Sequence, residues 1–418
     1  MKIVIAGGGF GGLRLARKLA NRPGFEVVLI DRYNHHQFQP LFYQVATAGI
    51  DASNISFPLR KVFHRALNVH IRLAEILRIE PSQNRIVTDA ETISYDVLVL
   101  ALGADTNFFN QAGLQQHAIP MKSSVEALQL RNRILLNFEE ALTTAEPGER
   151  QRLMNLVVVG GGPTGVELSG ALAEMKKYVL PRDFPELDFS KMRICLLEAT
   201  PRTLGAMSAK SSDQSARYLR KLGVEVMTET LLADYDGQTV TLKDGRSIPS
   251  RLVIWAAGIR GNIPGGIEAG LIARGNRIRV GRNCRVPGYD NLFVIGDLAY
   301  METQRHPQGH PQVAQVAMQQ ADFVRKALKA AVTGKKFDDE FDYRDKGSMA
   351  TVGRHLAVVD LPKPRLHLGG FLAWAIWMSL HLMLILGVKN RFFVFLHWLY
   401  NYITYDQNLR LVFRRKKL

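Results

Sequence analysis

Two glycine clusters in this chain have the spacing that lets a backbone approach a phosphate. They are Gly7, Gly9 and Gly12 in Gly7-Gly-Gly-Phe-Gly-Gly12, and Gly160, Gly162 and Gly165 in Gly160-Gly-Gly-Pro-Thr-Gly165. Both read GxGxxG. With no Cβ in the way, backbone N–H groups at a helix start, helped by the helix dipole, hold a pyrophosphate. Downstream of each cluster an acid ends an apolar run: Asp31, 24 positions after Gly7, and Glu198, 38 positions after Gly160. A carboxylate so placed accepts hydrogen bonds from ribose hydroxyls. At Glu198 it would bind a free 2′-hydroxyl and repel a 2′-phosphate, favouring NADH over NADPH. Arg202 nearby either softens that preference or is a solvated surface arginine.

Glycine turns of this kind need a strand before them and a helix after them. Lys2-Ile-Val-Ile-Ala6 and Asn155-Leu-Val-Val-Val159 supply the strands, helical patterns follow over 13–19 and 166–179, and further strands run through 27–31 and 193–198. Each set is a βαβ unit. The extra length before Glu198 is accounted for by 176–190, whose Pro181 and Pro185 break the helix. Late strands at 95–103 and 252–258 match each other, so the layout predicts an α/β protein with two Rossmann-like domains, the second inserted in the first. The first domain would resume at 291–297, followed by a helix over 311–332 and a charged linker over 333–343. The expected divisions are 1–110 and 265–335 for the first dinucleotide site, 111–264 for the second, and 336–418 for a C-terminal membrane-associated module.

Composition removes several alternatives. The chain has 418 residues, 47% apolar and 22% charged, ample for real cores and unlike a disordered chain. Cys195 and Cys284 are its two cysteines, in different segments, which excludes a disulfide framework, a CxxC pair and a cysteine-rich zinc site. His35-His36, His306 and His310 show no compact metal spacing, and no metal is expected. No GxSxG elbow or paired-carboxylate hydrolase pattern occurs. The start, MKIVIAGGGFGG, has no signal-peptide pattern, so a cytosolic chain is expected. Net charge is 54 − 38 = +16, suited to lipid headgroups, nucleic acid or a phosphorylated cofactor.

Residues 369–388 carry no formal charge and are long enough to span a bilayer. A second apolar run, 392–405, lies beyond Lys389 and Arg391, and the chain ends in Arg414-Arg-Lys-Lys417. A single span would carry the basic end to the far side, against the positive-inside tendency. Monotopic docking is expected instead, with Trp374, Trp377 and Trp398 at headgroup depth and the basic residues, Arg410 among them, on anionic lipid.

GGGFGGLRLA, HHQFQPLFYQVATAGI, GGGPTGVELSGALAE, WAAGI, VIGDLA and PQVAQVAMQQ follow in an order that resembles the type II NADH:quinone oxidoreductases, the non-proton-pumping alternative NADH dehydrogenases. The likeness covers nearly the whole chain. It implies FAD on the first glycine motif, contacted by Gly7, Gly9, Gly12 and Asp31, and NADH on the second, contacted by Gly160, Gly162, Gly165 and Glu198. Asp297 would bind the ribitol chain; a helix N-cap is its other reading, and both hold together. Glu167 is either an acid near a helix start or, by the resemblance, a carboxylate between nicotinamide and flavin that orients substrates or passes protons. Gln315 and Gln319, four apart, are either an exposed polar helix face or the quinone contacts. The stretch 40–43 with 46–47 would line the flavin ring or pack a core.

The resemblance implies electron transfer from NADH to a membrane quinone, ubiquinone or menaquinone, in a respiratory chain, at the cytoplasmic face of the inner membrane. No nucleic-acid partner is expected, and a homodimer is a further candidate assembly. The rivals are a ferredoxin-type or sulfide:quinone reductase of the same fold, the latter weakened by Cys195 lying in a strand, and a redox-sensing flavoprotein acting as a binding partner.

Overall fold

The computed structural model describes residues 1–407 and 409–412, so the expected basic tail, Arg414 to Lys417, lies outside the described residues. The chain divides into two compact units, one made of Met1–Gln37, Phe57–Asp105 and Ile259–Asp345, the other of Phe38–Ser56, Thr106–Gly258 and the residues from Lys346 onward.

The first unit is built on a five-stranded sheet in the order Leu292–Val294, Val97–Leu100, Lys2–Ala6, Glu26–Asp31, Val69–Leu73, every pairing parallel. Ile3, Val4, Ile5 and Ala6 are fully buried, which is why their segment reads as an unbroken apolar run rather than an alternating one: helices cover both faces of a parallel sheet. Helix Phe10–Leu19 follows the first glycine turn, and helix Ala314–Val332 packs along it. Arg14 fixes their register by donating Nε and Nη2 to the two carboxylate oxygens of Asp322 at 2.9 and 2.6 Å. The second helix starts three residues later than its apolar pattern predicts, with Val313 at its N-cap.

The second unit repeats this plan with a parallel sheet in the order Ile119–Pro120, Leu252–Trp255, Leu156–Val159, Ile194–Leu197, Glu225–Met227. Helix Pro163–Glu174 follows the second glycine turn. Its α-helical pattern ends at Glu174, short of the expected Val179, because Met175–Val179 widens into a π turn; Leu180–Asp183 then adds one more helical turn. Pro181 sits in the first positions of that turn, where its missing N–H costs little, so it does not break the segment.

Segment 38–56 lies within the stretch expected for the first domain, and the residues from 346 onward were expected as a module of their own; both pack within the second unit. Side-chain bonds tie them: Trp398 Nε1 donates to Gln44 Oε1 at 2.6 Å, Asn401 Nδ2 to the Gly49 carbonyl at 2.8 Å, and Asn390 Nδ2 to the Asn54 carbonyl at 3.0 Å. A three-stranded antiparallel sheet, Ser348–Thr351, Ala357–Pro362 and Arg365–Gly369, leads into two helices, Gly370–Leu384 and Val388–Thr404.

The uncharged run 369–388 is therefore not one helix. It breaks over 385–387, with Gly387 at φ +79°. The first helix has 15 residues, about 22 Å of rise against a hydrocarbon core of about 30 Å. No helix among the described residues is long and apolar enough to cross a membrane. Ala373, Trp377 and His381, four apart, face inward, while Phe371, Leu372, Met383, Phe392, Leu399 and Ile403 are exposed, Met383 at 70%.

Candidate functional site

The two glycine turns are near copies. Gly7 has φ +106° and Gly160 φ +110°, conformations in which an L side chain is strained, and a Cβ on Gly7 would lie 2.3 Å from the Ala101 carbonyl oxygen. A Cβ on Gly12 would stand 1.9 Å from the Gly7 carbonyl oxygen, and one on Gly165 1.9 Å from that of Gly160, so each third glycine lets its helix meet the preceding strand. At Gly9 and Gly162, the helix N-caps, a Cβ would meet nothing within 4 Å. That open side is where the first helical N–H groups lie without intrahelical partners, the donor set a pyrophosphate needs.

The acids sit beside these turns. Asp31 accepts from Gly8 N at 2.5 Å and Tyr33 N at 2.7 Å. Glu198 accepts from Gly161 N at 2.6 Å and Thr200 N at 2.7 Å. Each carboxylate is thus oriented by one amide of the glycine turn and one just after its own strand, with lone pairs left for ribose hydroxyls. Burial pushes Asp31 above the usual range, against the amides that favour its charged form. Arg202 is exposed.

Two further residues of the first unit take up defined positions. Asp297 stands inside the short turn Gly296–Leu298, whose N-cap is Ile295, so the N-cap reading does not describe it. On helix Ala314–Val332, both ends of the Gln319 amide meet the backbone of Arg344, Nε2 donating to its carbonyl at 2.9 Å and Oε1 accepting from its N–H at 3.1 Å. Gln320, which the sequence does not single out, is buried and accepts from Gly296 N at 2.7 Å, tying the Asp297 turn to the helix. Gln315 lies one turn before Gln319, in the helix's first turn and half-buried.

In the second unit Glu167 is the fifth residue of its helix and no acid occupies the first turn, so stabilisation by the helix start does not account for it. It is buried, and burial raises its pKa to about 8 although Thr351 N, at 3.3 Å, and the Trp377 side chain donate to it. The Tyr43 hydroxyl bonds Thr351 Oγ1 at 3.0 Å and accepts from Gln44 Nε2 at 2.9 Å; burial and the nearby Glu167 carboxylate hold its pKa far above the usual tyrosine value. A cavity of about 110 Å³ opens beside it, lined by Tyr43, Gln44, Glu174, Arg354, Trp374, Trp377 and Trp398 among others. Glu174, Thr351 and Arg354 escaped the sequence reading. One signal was present: Glu174 follows Glu167 by seven positions, two helical turns, on the same face.

Other chemistry-bearing groups are accounted for structurally. Ser211 Oγ and Asp360 Oδ1 both meet the same ring nitrogen of His367, Nδ1, at 2.9 and 3.2 Å, whereas a serine nucleophile needs its base and orienting acid on opposite nitrogens. Cys195 and Cys284 are buried, and burial lifts both thiols well above the usual range. Among the described residues no group of three or more His, Cys, Asp or Glu side chains is placed to hold a metal ion.

Residues 1–321 match the family model described as pyridine nucleotide-disulphide oxidoreductase, and residues 346–404 match the NDH2 C-terminal domain. Over 417 residues the chain is 37% identical to the type II NADH:quinone oxidoreductase Ndh of Mycobacterium tuberculosis, covering 96% of this chain and 88% of the relative. The chain belongs to the type II NADH:quinone oxidoreductases. A second member, from Haemophilus influenzae, is 30% identical over 86% of each chain. The fold matches the NDH2 of Plasmodium falciparum solved in complex with NADH, with a TM-score of 0.88 at 21% identity over 99% of both chains. The α/β fold with two dinucleotide-binding sheets and a helical C-terminal region is that of this family.

Proposed function

We propose that this type II NADH:quinone oxidoreductase binds FAD at the first glycine turn and NADH at the second, and passes electrons from NADH to a membrane quinone. The observation that carries the reading is the duplicated turn: two strand–glycine–helix junctions, each with an oriented carboxylate, make two dinucleotide sites in one chain. The first cradle fits FAD, with the Gly9 N-cap and the helix behind it toward the pyrophosphate, Asp31 toward the adenosine ribose and Asp297 toward the ribitol chain. Bound there, the flavin supplies two-electron chemistry linking a hydride donor to a quinone, which no side chain of this protein can supply.

The chain's own residues bind and orient. Gly160, Gly162 and Gly165 leave room for the NADH pyrophosphate, and Glu198 selects the unphosphorylated ribose. Glu167, buried and near neutral, takes up or gives a proton at its carboxyl oxygens as quinone is reduced. Gln315 offers an amide to a quinone carbonyl. Gln319, one helical turn further on, does the same by releasing the Arg344 backbone. No protein nucleophile is needed, and the described helices supply no polytopic bundle to carry protons across a bilayer.

Docking on a membrane leaflet, which we place on the cytoplasmic side, draws its support from the apolar side chains that the two C-terminal helices expose. Not every expected basic contact faces lipid: Arg410 pairs with Asp183 and Asp406 at 2.5 and 2.7 Å, and Arg391 donates to the Met383 and Ile385 carbonyls at the end of the first helix. An absorption spectrum tests the whole proposal. Pure protein should show a flavin band that NADH bleaches anaerobically and a quinone restores; absence of bleaching by NADH, or of recovery with quinone, would overturn it.

A further inference from the structure

Reduction of a quinone by NADH consumes one proton: NADH, quinone and H⁺ give NAD⁺ and a hydroquinone, whose two oxygens each gain an O–H bond. That proton comes from water, yet Glu167 is 8% exposed. We propose that Glu174 and Tyr43 form a relay that brings protons from the water of the neighbouring cavity to Glu167. The proposal rests on the reading of Glu167 as the proton-handling carboxyl.

The geometry begins with helix Pro163–Glu174. Glu167, Gly170 and Glu174 lie on one face, at spacings of three and four. A Cβ on Gly170 would stand 2.5 Å from Gly353 N, so the missing side chain lets the backbone after strand Ser348–Thr351 lie against the helix. Two amides of that backbone meet the two carboxyls: Thr351 N reaches Glu167 Oε1 at 3.3 Å, and Arg354 N reaches Glu174 Oε1 at 2.8 Å. Tyr43 lies within electrostatic reach of both carboxylates. Its hydroxyl bonds the Thr351 hydroxyl, and both Tyr43 and Glu174 line the cavity.

In the transfer, the Glu174 carboxyl gives its proton through cavity water to the Tyr43 oxygen, as the Tyr43 hydroxyl proton passes to Thr351 Oγ1; the Thr351 hydroxyl, on the residue whose N–H already meets Glu167 Oε1, then turns to pass its proton to the Glu167 carboxylate. Cavity water then reprotonates Glu174. One O–H bond breaks and one forms at each relaying oxygen, and nothing is oxidised or reduced. Burial holds Tyr43 far from deprotonation, which suits an oxygen that accepts one proton while releasing another.

The charged and titratable groups around Glu174 are Arg354, Lys177, Tyr178, Tyr43, Tyr402 and Tyr405. Arg354 stacks on the Tyr405 ring at 3.5 Å, which holds its charge beside the carboxyl. Burial outweighs Arg354 and Lys177 and brings Glu174 to about 7, so it both takes and releases protons near neutrality.

Glu174→Gln keeps the shape and the acceptor for Arg354 N but cannot carry a proton. In stopped flow it should slow recovery of the flavin band by quinone about tenfold at pH 7.5, with an enlarged solvent deuterium effect, while the NADH-driven bleaching is unchanged. Tyr43→Phe should act in the same direction, and Glu174→Asp should restore much of the rate. Independently of turnover, the component of the protonated-carboxyl infrared band that titrates near pH 7 in the parent, below the Glu167 component near pH 8, should be missing in Glu174→Gln. An unchanged pH profile and isotope effect in Glu174→Gln, or persistence of that band, would overturn the relay. If Glu174→Gln does not fold, a parent-like isotope effect in Tyr43→Phe overturns it equally. Glu167→Gln separates the two readings: if it leaves quinone-driven recovery intact, the role given to Glu167 falls, whereas sensitivity at Glu167 with indifference at Glu174 sinks the relay alone.

Discussion

At the scale of single residues, two carboxylates with similar chemistry face different surroundings. Glu198 is held by two backbone amides just past the end of strand Ile194–Leu197 and acts through charge and shape. Glu198→Gln removes the repulsion of a 2′-phosphate while keeping an acceptor, so the ratio of kcat/KM for NADH over NADPH should fall about tenfold, mostly through gain with NADPH. A ratio left at the parent value would return discrimination to other groups. Glu167 instead is raised by burial to about 8, above its ordinary 4.5. The folded state therefore keeps a proton that the unfolded chain releases, and this contribution to stability is full below about pH 4.5 and lost as pH rises through about 8. The fall in Tm between pH 5 and pH 8.5 should be smaller in Glu167→Gln than in the parent, measured by calorimetry at both values. An equal fall would mean that Glu167 is ionised in the folded protein.

At the scale of elements, the contact between helix Pro163–Glu174 and the backbone after Thr351 depends on a glycine. Gly170→Ala improves helix propensity by about 1 kcal/mol. Its Cβ would nevertheless meet main chain at 2.5 Å, and main chain yields less readily than a side chain, so the clash should win with a net loss of about 1–3 kcal/mol. Urea unfolding monitored by circular dichroism would register it. Much at this scale was legible in the chain: the two glycine turns, the strands around them and their closing acids follow from local rules of turn chemistry and apolar runs. What the sequence left hidden is pairing between distant segments. Nothing local in Thr351 or Arg354 says that their amides meet carboxyls 184 and 180 positions earlier, and nothing local in Gln319 says that the Arg344 backbone meets both ends of its amide. The break at 385–387 was similarly obscured, because composition counts charges and does not see a glycine at positive φ.

At the scale of the whole molecule, the two C-terminal helices have two jobs. Trp377 and Trp398 turn inward as part of the second unit, while Phe371, Met383 and Ile403 face out. Removing the helices would therefore strip a wall from the cavity as well as the apolar surface, and would not isolate membrane docking. Paired surface changes do: Phe371→Glu with Met383→Glu should cut co-sedimentation with vesicles containing one-third anionic lipid by at least about tenfold while the flavin band and its bleaching by NADH stay normal. Turnover with long-tailed quinones should suffer more than with short soluble ones. Undiminished vesicle binding would assign docking to another surface.

The hydrogen bond from Trp398 to Gln44 has a practical corollary for anyone handling the purified protein. Gln44 in turn donates to the Tyr43 hydroxyl, so the helix that meets detergent is three hydrogen bonds from Thr351. A solubilising agent that pries this helix loose would leave both dinucleotide cradles standing and the preparation yellow, yet would disconnect the tyrosine from its neighbours. Colour and NADH bleaching would then certify a sample whose quinone kinetics had already been altered by the choice of micelle.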